Sequence, residues 1–490
     1  MDALSPRITR RQLLRYGAVG AAGATLSGAL GTVISGGLAS SPASRPPSAP
    51  RWRTRPDLQI PALTVTRREQ GIADDPIFIA PYNAPHAQAG AVIVDNRGEA
   101  IWENPVAGRV STNFRVQSYR GHPVLTWWEG TIELGHGVGE YVIADSSYRT
   151  IRRVRAARGL RGDLHEFVIT SRDTALLTSY QVLGADLSSV GGSRNGTIQD
   201  AIFQEIDLAD GRVLLEWHSL DHISLQESYA PVGADWDFFH INSVDLDGED
   251  NLLISSRSAH TVYKLDRNGA ILWRLGGKRS DFAIGPGADF AWQHHVRRQP
   301  DGTITIFDNG ATPAVEPRSR GLIINVDERA MRASLLRQYS HPTVLSGSQG
   351  SVQLLSNGNV FVGWGEAPRV SEFDHSGALL FDALLGRRYQ SYRAFRLPWS
   401  GLPAEAPAIA LGGGARPQTV YASWNGATGV DAWQLLAGRR EGVLNVVATT
   451  RSQGFESVLR AASSGPYVAV RALEANGREL GRSSMLALVS

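Results

Sequence analysis

The stretch Asp237–Asn309 reads DFFHINSVDLDGEDNLLISSRSAHTVYKLDRNGAILWRLGGKRSDFAIGPGADFAWQHHVRRQPDGTITIFDN, and it holds two kinds of β-hairpin in succession. One kind, VYKLDRNGAILWRL (Val262–Leu275), alternates apolar and polar residues on both sides of an Asp-x-x-Gly turn. Such alternation is the strand period, and the Asp and Gly supply the turn. The other kind comes before and after it, as NSVDLDGEDNLLISSR (Asn242–Arg257) and HHVRRQPDGTITIFDNG (His294–Gly310).

Both hairpins recur outward from this stretch. The first kind reappears as AVIVDNRGEAIW (Ala91–Trp102), YVIADSSYRTIRRV (Tyr141–Val154), QEIDLADGRVLLEW (Gln204–Trp217), LIINVDERAMRASLL (Leu322–Leu336) and VSEFDHSGALLFD (Val370–Asp382). Its aspartates, Asp95, Asp145, Asp207, Asp266, Asp327 and Asp374, are spaced by 50, 62, 59, 61 and 47 residues. The second kind reappears as NFRVQSYRGHPVLTWW, HEFVITSRDTALLTSY and GSVQLLSNGNVFVGWG. Two hairpins per repeat make a four-stranded unit, and a period of roughly 40–60 residues suits a propeller blade. The expected fold is therefore all-β, a six-bladed β-propeller over residues 76–398. A change of pattern after LPWSGLPAEAPAIALGGGARP (Leu397–Pro417) marks a linker over 399–415. Short alternating strands over 416–490 then predict an immunoglobulin- or fibronectin type III-like β-sandwich without a histidine.

The N-terminus reads as an address. Arg7, Arg10 and Arg11 precede an Ala/Gly-rich run, and TRRQLLR resembles a twin-arginine export signal. The expectation is a signal over 1–44, a linker over 45–75, and an exported protein handled by the twin-arginine machinery; a retained membrane anchor is the alternative. The chain has no cysteine, so thiolate chemistry, cysteine-bound metal and disulfides are excluded. A formal net charge of +2 over 490 residues gives no case for nucleic acid.

Polar residues at the starts of the second hairpins are the candidates for chemistry. Aligned copies bring His165, Asn242, His294 and Gly350 into register, and a propeller carries such positions to one axis. His240 and Asn242, two apart, share a strand face. His294 and His295 would face opposite sides of a regular strand, so one of them points into the channel. Arg257 follows the apolar strand LLISS. The other histidines, including His136 and His260, lack this alignment and read as structural. Imidazoles suit a metal, whereas an arginine and an amide suit an oxyanion such as sulfate, phosphate or carboxylate. Trp236, Phe238, Phe239 and Trp292 are candidates to hold a flat apolar group.

At these residues the sequence resembles the arylsulfate sulfotransferase family, in its actinobacterial and fungal branch. The resemblance runs through DWDFFHINSVDLDGEDNLLISSR, the IxWxLGG segment at Ile271–Gly277, FAWQHHVR and TIFDNG. It implies a six-bladed propeller and ping-pong transfer of a sulfuryl group from an aryl sulfate to a phenol, without a nucleotide sulfate donor, cofactor or metal. By the same resemblance His294 is the nucleophile that becomes sulfohistidine, and His240, Asn242 and Arg257 bind the sulfuryl oxygens. His165 is the acid/base at the phenolic oxygen. His295 departs from the family's usual WQHD, where an acid follows the nucleophile. Two rival readings stand beside this one: a metal-dependent propeller hydrolase or lactonase, and a non-catalytic binding or adhesion propeller.

Overall fold

Each of the six hairpin aspartates closes its turn in the same way. Its Oδ1 accepts the backbone N–H two residues on: Arg97, Ser147, Ala209, Asn268, Arg329 and Ser376 donate at 2.7–3.0 Å. A carboxylate folded back on its own chain fixes a tight turn between two strands. The computed structural model describes residues 52–82, 88–248, 250–412, 418–461 and 465–487. The expected export signal over 1–44 lies outside the described residues. Among them, no helix is long and apolar enough to cross a membrane.

The chain is mostly β. Up to Arg396 it forms six sheets of four or five strands, antiparallel except for the added two-residue strand Ala283–Ile284. Each sheet begins at one edge with an inner strand: β1 (Val110–Tyr119), β2 (Phe167–Ile169), β3 (Ile241–Asp247), β4 (His294–Arg298), β5 (Ser351–Leu354) and β6 (Ala394–Arg396). Their contacts run in a ring. β1 touches β2, β3 touches β4, β4 touches β5, β5 touches β6 and β6 touches β1, while the neighbour of β2, Thr174–Ala185, reaches β3. The ring closes because β6, from its C-terminal end, pairs with Ile77–Ile79 at its start. Apolar side chains fill the spaces between sheets; Trp217, Phe239 and Tyr263 belong to one such cluster, fully enclosed.

Two segments expected as linkers carry structure. Within 45–75, Thr64–Arg68 pairs with Leu379–Leu384 as an added outer strand. Leu58 and Ile60 are buried against the sheet that closes the ring. Burial of those apolar side chains supplies what a solvated linker lacks. Within 399–415, Ala408–Leu411 pairs with Gln418–Ser423. The C-terminal region has two sheets enclosing Trp433, Leu435, Leu459 and Val470. It sits against the ring through Asn425, whose side chain bonds both the N–H and the carbonyl of Glu103 at 2.9 Å, and through Tyr148 Oη, which donates to Gly426 O at 2.6 Å.

Candidate active site

A regular inner strand would alternate its side chains between two faces. Three inner strands do not. The register slips between Thr112 and Arg115 in β1, Ile241 and Ser243 in β3, and His294 and Arg297 in β4. Left-handed backbone accompanies the slips, at Asn113 (φ 54°), His240 (φ 50°) and His295 (φ 50°). Such conformations cost about 1–3 kcal/mol each and persist only where the surroundings enforce them. They re-aim neighbouring side chains. His294 lines a cavity of about 280 Å³ with His165, His240, Arg257 and Tyr392. His295 lines another, of about 370 Å³, with Arg115 and Arg297. His240 and Asn242 part in the same way. Asn242 is fully buried behind the first cavity, and its Nδ2 donates to the carbonyl of Gln293 at 2.6 Å, the residue before His294.

His294 is held in one tautomer. Asn309 Nδ2 donates to the carbonyls of Ser346 and Gln349 at 3.0 and 3.1 Å, which orients its Oδ1 toward His294 Nδ1 at 2.7 Å. Nδ1 therefore carries the hydrogen, and Nε2 keeps its lone pair, on which the Gln349 N–H rests at 3.2 Å. Burial first, then the Arg257 charge, hold this imidazole well below its ordinary pKa. The ring is neutral, with an sp² nitrogen available at the cavity.

His165 and His240 are backed by carboxylates instead. His165 Nδ1 lies 2.6 Å from Asp163 Oδ2; Asp163 also accepts N–H groups from His165 and Gly137 and the Thr178 hydroxyl. Burial works against its ionisation, but His165, His136 and the Gly137 N–H hold the carboxyl well below its usual range. His240 Nδ1 bonds Asp237 Oδ2, which also receives His136 Nε2 at 3.2 Å. Burial outweighs Asp237 and takes His240 down to about 4. The rings cluster, with centroids 4.8 Å apart for His165–His240, 5.3 Å for His136–His240 and 6.4 Å for His240–His294. Arg257 lies over the Trp292 ring at 4.8 Å and donates to Gly347 O at 3.2 Å.

The structure thus brings His165, His240, Arg257 and His294 to one cavity and leaves Asn242 behind it. Trp236, Phe238 and Phe239 belong to a buried apolar cluster; Trp292 supports Arg257, and Tyr82 and Tyr392 line the cavity. Asn309, Asp163, Asp237 and His136 are additions to the sequence reading. His136 follows the turn after His122–Glu133, within GHGVG (Gly135–Gly139). A signal was present there: a Cβ at Gly137 would come 2.5 Å from Leu164 N, and one at Gly139 2.1 Å from Glu129 O. Two groups among the described residues could hold a cation, His136–Asp237–His240 and His136–Asp163–His165.

Glu166 lies beneath this cavity. Its carboxylate receives Arg115 of β1 at 3.0 Å, Arg297 of β4 at 2.5 Å and Arg393, just before β6, at 2.9 Å. Burial opposes its charge, and Arg297, Arg393 and Arg115 more than offset it, holding the carboxyl well below its usual range.

The profile of the family described as Arylsulfotransferase (ASST) matches residues 115–386. No curated protein matches the chain. Among solved structures, a Bacteroides caccae protein of unknown function is 11% identical with a TM-score of 0.41, over 66% of this chain and 100% of its own. The Pseudomonas aeruginosa periplasmic gluconolactonase PpgL is 13% identical with a TM-score of 0.37, over 79% and 99%. The β-propeller domain of Cps50 (Swd1) from Myceliophteria thermophila is 10% identical with a TM-score of 0.32, over 64% and 97%.

Proposed function

Because this chain belongs to the arylsulfotransferase family, we propose that it moves a sulfuryl group from an aryl sulfate to a phenol through His294. The observation that carries this is the fixed, neutral His294: Asn309 holds the hydrogen at Nδ1, so Nε2 faces the cavity as a nucleophile. Nε2 attacks sulfur, the N–S bond forms, and the S–O bond to the aryl group breaks. His165, held at Nδ1 by Asp163, gives a proton from Nε2 to the departing phenolate oxygen. In the second half the acceptor phenol returns a proton to His165, its oxygen bonds the sulfur, and the N–S bond breaks to free His294 Nε2. Protons and charge balance over the cycle.

Arg257 and the Gln349 N–H are the donors for the sulfuryl oxygens, and the sulfuryl group replaces the contact between Gln349 and Nε2. His240, with its hydrogen at Nδ1 toward Asp237, offers the Nε2 lone pair to the phenolic hydroxyl rather than to the sulfuryl oxygens. Asn242 positions rather than binds: its amide tethers the Gln293 carbonyl ahead of His294. We read the six sheets as blades of one propeller, the C-terminal sheets as an immunoglobulin-like sandwich, and the arginine-bearing N-terminus as a twin-arginine export signal.

Incubation with 4-nitrophenyl sulfate tests this reading. Without phenol, intact-mass and peptide analysis should find one sulfuryl group on His294. With phenol, nitrophenol should be released repeatedly, and His294→Ala should abolish both results. Undiminished release in that variant sinks the assignment.

A further inference from the structure

We propose that His136, Asp237 and His240 form a binding site for a divalent transition-metal ion, Zn²⁺ by the chemistry of its donors, and that the bound ion turns the cavity off. The effect on turnover rests on the function proposed above; occupancy of the site does not.

One donor atom from each of the three residues lies within 4.8 Å of the others, and His136 shares an equivalent relation with Asp163 and His165. Two imidazoles and a carboxylate are ligands zinc takes in open sites; Ca²⁺ and Mg²⁺ prefer oxygen alone. The charge balance points the same way. Among the described residues, Asp163 and Asp237 form ion pairs only with histidines, His165 for the first and His136 and His240 for the second. Glu166, next in sequence to the His165 pair, has three arginines. Asp237, half-buried, thus meets imidazoles but, among the described residues, no lysine or arginine at ion-pair distance, and a dication can take up its charge. His136 is also incompletely used: it is 8% exposed, and its Nδ1 is buried with no hydrogen-bond partner among the described residues. The ring can keep its hydrogen there and offer Nε2 to a metal beside Asp237.

Occupancy has a chemical consequence. His240 now gives Asp237 its Nδ1–H and leaves Nε2 an acceptor toward the cavity it lines. A metal at Nδ1 drives the hydrogen to Nε2 and makes that atom a donor, while the dication lies close to His165, whose ring centroid is 6.0 Å from that of His136. The acid/base side of the cavity is then wrong for accepting a proton from a phenol.

The test uses the full chain, stripped with chelator and titrated with ZnCl₂ by calorimetry, with metal content read by mass spectrometry. One equivalent should bind. His136→Ala and Asp237→Asn should each weaken binding by more than the roughly 10–100-fold that loss of an outer partner costs, while the exposed His122→Ala binds as wild type. His136→Gln, checked for an unchanged melting curve, separates ligand loss from misfolding. Zinc should suppress phenol-dependent nitrophenol release in wild type and should do so only at correspondingly higher concentration in His136→Gln. Failure to bind saturably, or binding indifferent to His136 and Asp237, overturns the site; turnover that rises with zinc overturns its inhibitory role. A zinc-free protein with no turnover counts against the proposed function, and the titration still decides the site.

Discussion

His294 and His240 face the same cavity but are prepared differently. A carboxamide rather than a carboxylate backs His294, and burial with Arg257 nearby outweighs that hydrogen bond and holds its pKa well down. Asp237 backs His240, yet burial still wins and leaves that ring titrating at about 4. A free histidine titrates near 6.5. On acidification the unfolded chain thus takes up protons through about 6.5, while folded His240 stays neutral until about 4. Activity should therefore hold through the ordinary histidine range and fall only near pH 4, where His240 Nε2 loses its lone pair; a kcat/KM profile for 4-nitrophenyl sulfate checks this. Stability has the opposite sensitivity. Between about pH 6.5 and 4 the unfolded state binds more protons, so the melting temperature should decline across that window. A turnover profile with an acid limb near 6.5 would show that His240 is not neutralised by its surroundings.

At the scale of the element, the inner strands decide what could be foreseen. The six Asp turns were legible because each is local: one carboxylate, one N–H two residues away, one repeated motif. The divergence of His240 from Asn242 was not, because the period-2 rule assumes a regular strand, and β3 slips at Asn242 behind a left-handed His240. His136 was missed for another reason: it arrives on the second strand of its hairpin, not on an inner strand, so no alignment of strand starts includes it. Nor does any local pattern announce that Glu166 meets Arg115, Arg297 and Arg393, which lie 51, 131 and 227 residues away. That carboxylate joins β1, β4 and the approach to β6. Its replacement in Glu166→Gln leaves three buried guanidinium groups with too little negative charge, for which a loss of about 3–5 kcal/mol is expected. Urea unfolding measures it. A loss below 1 kcal/mol would show that Asp245, which also pairs with Arg297, and the carbonyls around the cluster suffice to hold the arginines.

For the whole molecule, closure of the ring governs both stability and chemistry, since the cavity takes Tyr82 from its first sheet, His165, His240 and His294 from the middle and Tyr392 from its end. The closing strand β6 is only three residues long, yet it pairs with Ile77–Ile79 and carries the fully buried Arg396. Arg396 forms an ion pair with Glu372 Oε2 at 2.7 Å, on the last sheet, and donates to Asp75 O at 2.8 Å, just before the first. One side chain thus locks the two ends of the ring together. The C-terminal sheets contact the ring at Glu103 and Tyr148 and contribute no residue to the cavity. Two truncations separate these parts. A chain ending at Ser400 keeps β6 and should retain a cooperative thermal transition and sulfuryl transfer, with a lowered melting temperature from exposing Trp102 and Tyr148. A chain ending at Arg388 loses β6, Arg396 and Tyr392 together. It should unfold without a sharp transition and form no sulfohistidine, because the sheets that present His294 and His165 are then no longer held at a fixed distance. Retained transfer in the shorter chain would show that the inner strands hold the cavity without closure.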